Sequence, residues 1–468
     1  MNRERAAWLI SVVLLALLAF ELPGSLAQRN DDYDWVRTLV EVHRQVIDNY
    51  VEPVNDQDLK EKSIEGMLSV LDPYTVYVAP EKQSEFEELI NGEFSGVGIT
   101  LDKEPDGRIL VLSPLEGSPA DRAGIEAGDY ITKVDGQPTA NWLIEDVVKH
   151  VTGKAGTKVT LTIERDGKET DYTMTREQIV LPTVVGYDRA KDDSWNYWVC
   201  KDPKIAYVRI TQFDANTFDS LKGALEGVPP SPGETGKPGL LDSGMKGLIL
   251  DLRFNPGGRL EQAIQVVNLF VKDGSVIVTT RGRSRPEQIN RANGQGTLPD
   301  FPMIVLVNEH SASAAEIVSG SLKDNHRALV IGQRTFGKGS VQEVVPLEGD
   351  GGELKITVAY YYLPSGRLVH RKKGATDWGV EPQIIVPVDD EGEREIREQM
   401  ARRDTIRHPT TLASTTPATG PTTVATTAPA TTEPVDPQLQ QALNTMVGLI
   451  FLGEPAPPST QPSAAAMN

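Results

Sequence analysis

Apolar residues recur three and four positions apart in "WVRTLVEVHRQVIDNYV", and "DLKEKSIEGMLSVL" repeats the spacing. That period predicts amphipathic helices, so residues 28–93 read as a helical N-terminal region closed by the turn-forming "LDPYTVYV". At 94 the pattern changes to short β-rich runs, "GVGITLD", "RILVLSPL", "DYITKVDG" and "KVTLTIERDG", separated by Gly, Pro and Asp. "SPADRAGI" and "NWLIEDVVKHVTG" interrupt them as helices, and residues 94–178 form a small module of their own. From 179 to 395 strands alternate with helices. "KIAYVRITQF", "MKGLILDLR", "SVIVTTRG", "PMIVLVNE", "ALVIGQ", "VQEVVPL" and "ELKITVAYYYL" predict strands, while "ANTFDSLKGALEGV", "LEQAIQVVNLFV" and "AAEIVSGSLKDN" predict helices. This alternation is the mark of an α/β core. The segment 396–435 is dominated by "TTLASTTPATGPTTVATTAPATTEP", which lacks the hydrophobes for a core and is expected to be a disordered linker. In the last segment, 436–468, "DPQLQQALNTMVGLIFL" predicts a short amphipathic helix that packs back onto the body. The expected fold class is mixed α/β and multidomain.

The first 27 residues stand apart. "MNRER" is basic, residues 6–20 ("AAWLISVVLLALLAF") form an apolar stretch, and "SLA" before Gln28 has the small-x-small form of a cleavage site. The apolar run is short for a spanning helix, so residues 1–27 read as a secretory signal peptide. An uncleaved anchor through residues 6–20 is the other reading. Either places the remaining chain outside the cytoplasmic membrane, in a bacterial-type periplasm or on the membrane's outer face. The chain has one cysteine, Cys200, which excludes an internal disulfide framework and leaves stability to packed cores. No Cys/His cluster has metal-ligand spacing, so neither a metal nor a cofactor is expected. A formal net charge of −19 argues against general nucleic-acid binding.

The chemistry concentrates after the apolar run "MIVLVNEH", where Ser311 and Ser313 precede a helix beginning near Ala314. Ser313 and Glu316 form S-x-x-E, a capping box that would by itself start a helix. The same position aims backbone N–H groups at any oxyanion forming beside the serine. Local sequence allows both, and a base has to decide. Among six histidines, His310 precedes the helix, His326 follows it, and His43, His150, His370 and His408 lie elsewhere, with no Asp–His pair to complete a triad. "GQRTFGKGS" (332–340) nearly matches the phosphate-binding pattern G-x-x-x-x-G-K-[ST]. Gly339 replaces its hydroxyl residue, however, and a strand rather than a helix follows. Lys338, between Gly337 and Gly339, has a better use, since a neutral amine accepts a hydroxyl proton and burial favours the neutral form. In an extended strand Lys338, Ser340 and Gln342 share a face, which would let Gln342 orient the amine. A solvent-facing lysine in a turn is the alternative.

The segment 308–342, with Ser313, Lys338 and Gln342 in that order, resembles the active-site segment of the C-terminal processing peptidases, or tail-specific proteases. "GLILDLRFNPGG" (247–258) resembles a second signature of that family, and 94–178 resembles a PDZ domain. The resemblance implies an exported serine endopeptidase that cleaves proteins near their C-termini. Ser313 would be the nucleophile, Lys338 its general base and Gln342 the residue that positions Lys338. The backbone N–H groups of Gly258 and Ala314 would form the oxyanion hole, with Gly257 as the fallback. In the PDZ module, Gly96, Val97, Gly98 and Ile99 would hold the substrate's terminal carboxylate while the peptide adds as a strand, or the module would gate the site. Arg165 or Arg176 would couple module and site. The departures from the family pattern are Ala315, Phe254 and Arg259, none of them the nucleophile or base. The implied partners are proteins or peptides with accessible C-termini, an activator or adaptor protein, and further copies of the chain. Two other readings are a catalytically silent PDZ-type adaptor and a Ser–His hydrolase.

Overall fold

The computed structural model describes residues 34–83, 86, 94–104, 106–115, 117–179, 181–190, 194–228, 236–349, 351–405 and 435–453. The expected signal peptide or anchor and most of the Thr/Pro tract lie outside the described residues. Among the described residues no helix is long and apolar enough to cross a membrane. The chain divides into two compact units, 1–83 with 343–357 and 84–342 with 358–468.

In the first unit, helices α1 (34–49) and α2 (Asp56–Leu68) occupy the region expected to be helical. Asn55 starts α2 by accepting the Gln57 N–H on its side chain. Asp72 then accepts the N–H groups of Tyr74 and Thr75, making the turn of "LDPYT". Strand β1 (Val76–Val78) follows and pairs antiparallel with residues 353–355.

The second unit opens with the PDZ-like module. Its strands are β2 (Phe94–Gly96), β3 (Ile99–Lys103), β4 (Ile109–Pro114), β5 (Tyr130–Val134), β6 (Lys158–Arg165), β7 (Lys168–Thr175) and β8 (Glu177–Ile179). Helices α3 (Pro119–Ala123) and α4 (Ile144–Val151) are inserted before and after β5. Strands β3 to β7 form one antiparallel sheet in the order β3-β4-β5-β6-β7, and β2 pairs with β8. Alternating residues such as Ile109 and Val111, or Leu161 and Ile163, enter a small core with Val97 and Val147.

The larger core is built on parallel strands β9 (Lys204–Ile210), β10 (Gly247–Asp251), β12 (Met303–Val307), β13 (Leu329–Gly332) and β16 (Ile384–Ile385), adjacent in that order. Here β11 is Val276–Arg281, β14 Ser340–Pro346 and β15 Glu353–Tyr362. Helices α5 (Thr217–Glu226), α6 (Leu260–Asn268) and α7 (Ala314–Asp324) are the crossovers. Each crossover steps the sheet in the same direction, and right-handed connections then put all three helices on one face. The contacts bear this out: Leu221, Val266 and Val318 share a core with Val208, Leu250 and Val305. The opposite face, with Tyr207, Ile249, Ile304 and Ile331, is covered by the C-terminal helix α9 (Pro437–Gly453) through Leu439, Ala442, Met446 and Ile450. Burial on both faces is why "GLILD" and "MIVLV" are apolar without alternation.

One expected boundary changes. Helix α8 (Asp390–Asp404) occupies 396–404, which the sequence reading put in the linker. Ten of its fifteen residues are charged, so apolar periodicity is faint. It forms because Asp389 caps the Gly392 N–H, acids fill its first turn, Arg402 and Arg403 fill its last, and Ile396 and Met400 are buried. For the other end of the chain, Met446→Ala should lower stability in equilibrium urea unfolding by about 2–5 kcal/mol. The exposed Gln440→Ala on the same helix should change it by no more than about 0.5 kcal/mol.

Candidate active site

The loops that leave the C-terminal ends of β10, β12 and β13 converge, as sites of parallel sheets do. Three bonds join them. The Ala312 N–H donates to Asn255 O (2.9 Å), the Ser311 hydroxyl to Leu252 O (2.8 Å), and the Phe336 N–H to Ser311 O (3.0 Å). Ser313 sits where β12 turns into α7, with φ 55° and ψ −115°. A non-glycine residue in that region is strained by about 1–3 kcal/mol, which the surrounding bonds must over-determine. The strand–turn–helix context projects its half-buried side chain out of the turn.

Glu316 supplies the determination. Its carboxylate is fully buried on the first turn of α7 and accepts four hydrogen bonds. Oε1 takes the Thr335 hydroxyl (2.5 Å) and the Gly337 N–H (2.7 Å). Oε2 takes the N–H of Ser313 (2.9 Å) and that of Lys338 (2.8 Å). One carboxylate oxygen thus holds the backbone of both residues expected to do the chemistry. Burial pushes the Glu316 carboxyl up to about 7, against the four donors, which hold it down. The sequence marked Glu316 only as a capping-box partner. Thr335, 22 residues from Ser313, carried no signal at all.

Lys338 does not lie in an extended strand as expected. The strand β14 begins at Ser340, and Lys338 belongs to the loop before it. The physical reason is twofold: its N–H is taken by Glu316 rather than by a ladder, and Gly337 has φ +92°. The two glycines do permit close approach. A side chain at Gly337 would stand 2.7 Å from Trp378 Cδ1, and one at Gly339 would strike the His370 backbone. Gln342 lies on β14 and donates from Nε2 to Ser340 Oγ (2.7 Å), so these two do share a face.

The "NPGG" loop packs against the serine. A Cβ on Gly257 would stand 2.6 Å from Ser313 Cβ. The Gly257 N–H donates to Asn255 Oδ1 (2.8 Å) and so is engaged. Gly258 bridges in parallel to Phe213, using the Gly257 carbonyl and the Arg259 N–H. That leaves the Gly258 N–H on the other side, and among the described residues neither it nor the Ala314 N–H donates to a protein acceptor. Of the three N–H groups named from the sequence, only that of Gly257 is taken by an acceptor among the described residues. Asn255 is fully buried and anchors this loop by donating to Ile210 O (2.7 Å), a support the sequence did not disclose.

The histidines are accounted for elsewhere. His43 bonds Asp56, His150 bonds Asp146 O and stacks on Trp142, and His310 bonds Glu393. His370 packs on Tyr360, His326 sits at the far end of α7, and His408 lies outside the described residues. In the PDZ-like module, Gly98 has φ +75° and its carbonyl accepts the Leu115 N–H (2.9 Å) and the Ser118 hydroxyl (3.1 Å). The Val97 carbonyl accepts the Ala120 N–H, and Val97 is buried, so the "GVGI" loop turns its carbonyls inward. Ile99 opens β3, the end strand of its sheet, with α4 beside it, and Gly96 ends β2. Arg165 is bonded to Asp129 and Glu126, and Arg176 to the carbonyls of His150, Val151 and Lys158. Both arginines thus bond inside their own module.

Comparison with known proteins agrees with this architecture. The family model "Peptidase family S41" matches residues 204–386, a PDZ domain model matches 110–165, and the "Activating protease CtpB N-terminal domain" matches 21–82. The carboxy-terminal-processing protease of Bartonella bacilliformis is 37% identical over 388 residues, 82% of either chain. The carboxy-terminal processing protease CtpA of Bacillus subtilis is 34% identical over 75% of this chain and 69% of its own. The chain belongs to peptidase family S41, the C-terminal processing peptidases. Among solved structures the peptidase is similar to the photosystem II D1 C-terminal processing protease, with a TM-score of 0.43 and 28% identity over 78% of this chain and 92% of that one.

The peptidase should show the titration of Glu316 in its stability. Its folded pKa is raised above the ordinary 4.5, so the folded state holds an extra proton between about 4.5 and about 7. The contribution is fully present below 4.5 and is lost as pH rises through about 7, a fall of roughly 3 kcal/mol. Urea unfolding across that window should show the slope in the native protein and lack this component in Glu316→Gln.

Proposed function

We propose that this serine-type peptidase cuts protein substrates near their C-termini through a Ser313–Lys338 dyad. The observation that carries the reading is the shared Glu316 oxygen, which fixes the nucleophile's turn and the lysine's loop to one point. In this scheme the Ser313 hydroxyl attacks the scissile carbonyl as its proton passes to the neutral Lys338 Nζ. The oxyanion forms opposite the N–H groups of Gly258 and Ala314. Collapse breaks the C–N bond, and Lys338 returns the proton to the leaving amine. Water then attacks the acyl carbon as it gives a proton to Lys338, and when the Oγ–C bond breaks that proton passes to Ser313 Oγ, releasing the acid and restoring the dyad. Gln342 supports the lysine by hydrogen bonding without adding charge.

For the PDZ module, we propose capture of the substrate's end at Gly96–Ile99, with the peptide adding to the edge of β3. Export is part of the same reading, supported by the basic start and apolar run of residues 1–20.

Casein cleavage by the full chain should fall by at least about 1,000-fold in Ser313→Ala and in Lys338→Ala. Lys338→Arg should fail to restore it, because guanidinium stays protonated and accepts no proton. Equal cleavage by the native chain and Ser313→Ala would overturn the dyad. For the module, a peptide substrate with a free C-terminus should show a lower KM than its C-terminal amide, and Gly98→Ala should remove the difference. A Cβ there meets Ser118 Oγ at 2.7 Å and disturbs the loop.

A further inference from the structure

Glu309, His310 and Glu393 come together on the edge of the site, and the proposed mechanism uses none of them. Glu309 and His310 lie in the turn just before Ser313, whereas Glu393 is in the first turn of α8. His310 and Glu393 are 83 residues apart, which is why no metal-ligand spacing is visible in the sequence. His310 Nε2 is 3.0 Å from Glu393 Oε2 and 3.9 Å from Glu309 Oε1, and one ligand atom from each residue lies within 4.8 Å of the others.

A plain histidine–carboxylate pair leaves something unexplained. Glu393 is only 9% exposed, and its other oxygen, Oε1, is buried with no hydrogen-bond partner among the described residues. Buried carboxylate oxygens are normally satisfied, because stripping them of water without a donor is costly. The imidazole serves Oε2 alone. A cation lying between the imidazole and the carboxylate would serve both oxygens.

We propose that Glu309, His310 and Glu393 bind a divalent transition cation of the zinc class. One imidazole nitrogen and two carboxylates are a donor set that zinc accepts, with water completing four-coordination. Ligand atoms about 2.0–2.1 Å from a tetrahedral zinc lie about 3.3 Å apart, near the 3.0 Å that separates His310 Nε2 from Glu393 Oε2. Glu309 is exposed, and its Oε1 already stands 3.9 Å from His310 Nε2. The imidazole stacks on Phe254, with ring centroids 5.7 Å apart, and the backbone N–H of His310 donates to Asn308 Oδ1 (3.3 Å), which fixes the turn. The bound cation would fasten α8 to the turn that carries Ser313.

The test is calorimetric titration of the metal-free full-length Ser313→Ala chain with zinc alone, repeated with cobalt, whose visible absorption reports nitrogen and oxygen ligation. One equivalent should bind, and His310→Ala and Glu393→Gln should each weaken it by at least about tenfold. Glu309→Gln should weaken it less. His43→Ala, at the His43–Asp56 pair, should leave it unchanged. Circular dichroism of the metal-free variants checks folding, and if Glu393→Gln does not fold, His310→Ala and Glu309→Gln decide. No binding, or equal binding by native-site and His310→Ala chains, overturns the proposal, as does loss of binding in His43→Ala. Because the readout is binding to a chain without its serine, the result stands whether or not the proposed dyad is correct.

Discussion

One buried carboxylate organises the reacting end of this peptidase. Glu316 accepts two donors on each oxygen, and those donors come from two loops that leave different strands of the sheet. A carboxylate with all four lone-pair directions filled is a rigid node, since moving any donor leaves the charge less satisfied. The strained backbone of Ser313 persists because the node holds it. Burial and donors pull the acid in opposite directions, and the outcome near 7 makes the node sensitive to pH in the range where proteins usually work.

A second constraint acts from the sheet outward. Because the strands β9, β10, β12, β13 and β16 succeed one another in a single direction, handedness piles the crossover helices on one face. The bare face must be covered by something later in the chain, and α9 does it. Its attachment runs close to the site. Arg253, buried directly after β10, bonds Asp251 and also Asp436, and Asp436 caps the first turn of α9 by accepting the Leu439 N–H. Tyr207 completes the group by donating to Asp251 (2.7 Å). Breaking one partner of such a buried pair leaves an uncompensated charge, so the start of the "NPGG" loop and the C-terminal helix stand or fall together.

Glycines do a related job at the loops. Gly257 and Gly337 each have positive φ and each face a neighbour at a distance no Cβ could keep, Ser313 in one case and Trp378 in the other. The close approach sets the Gly257 backbone directly against Ser313 and Ala314. The loops are therefore positioned by what they lack in side chain as much as by what they bond.

The order of elements, the PDZ-like module and the strands buried on two faces were legible in the sequence, which also named Ser313, Lys338, Gln342 and Gly258 as candidates. Hydrophobic period and motif spacing are local properties, and these features follow from them. Several others were not legible. The charged helix α8 hides its few buried residues, and the strand expected at Lys338 begins two residues later because a distant carboxylate takes that N–H. Glu316 reads in the sequence as a helix cap, and Thr335, Asn255 and the Glu309–His310–Glu393 cluster do not register at all. Their roles depend on which loops meet above the sheet, and that is decided by strand order and the handedness of crossovers, which no local pattern encodes.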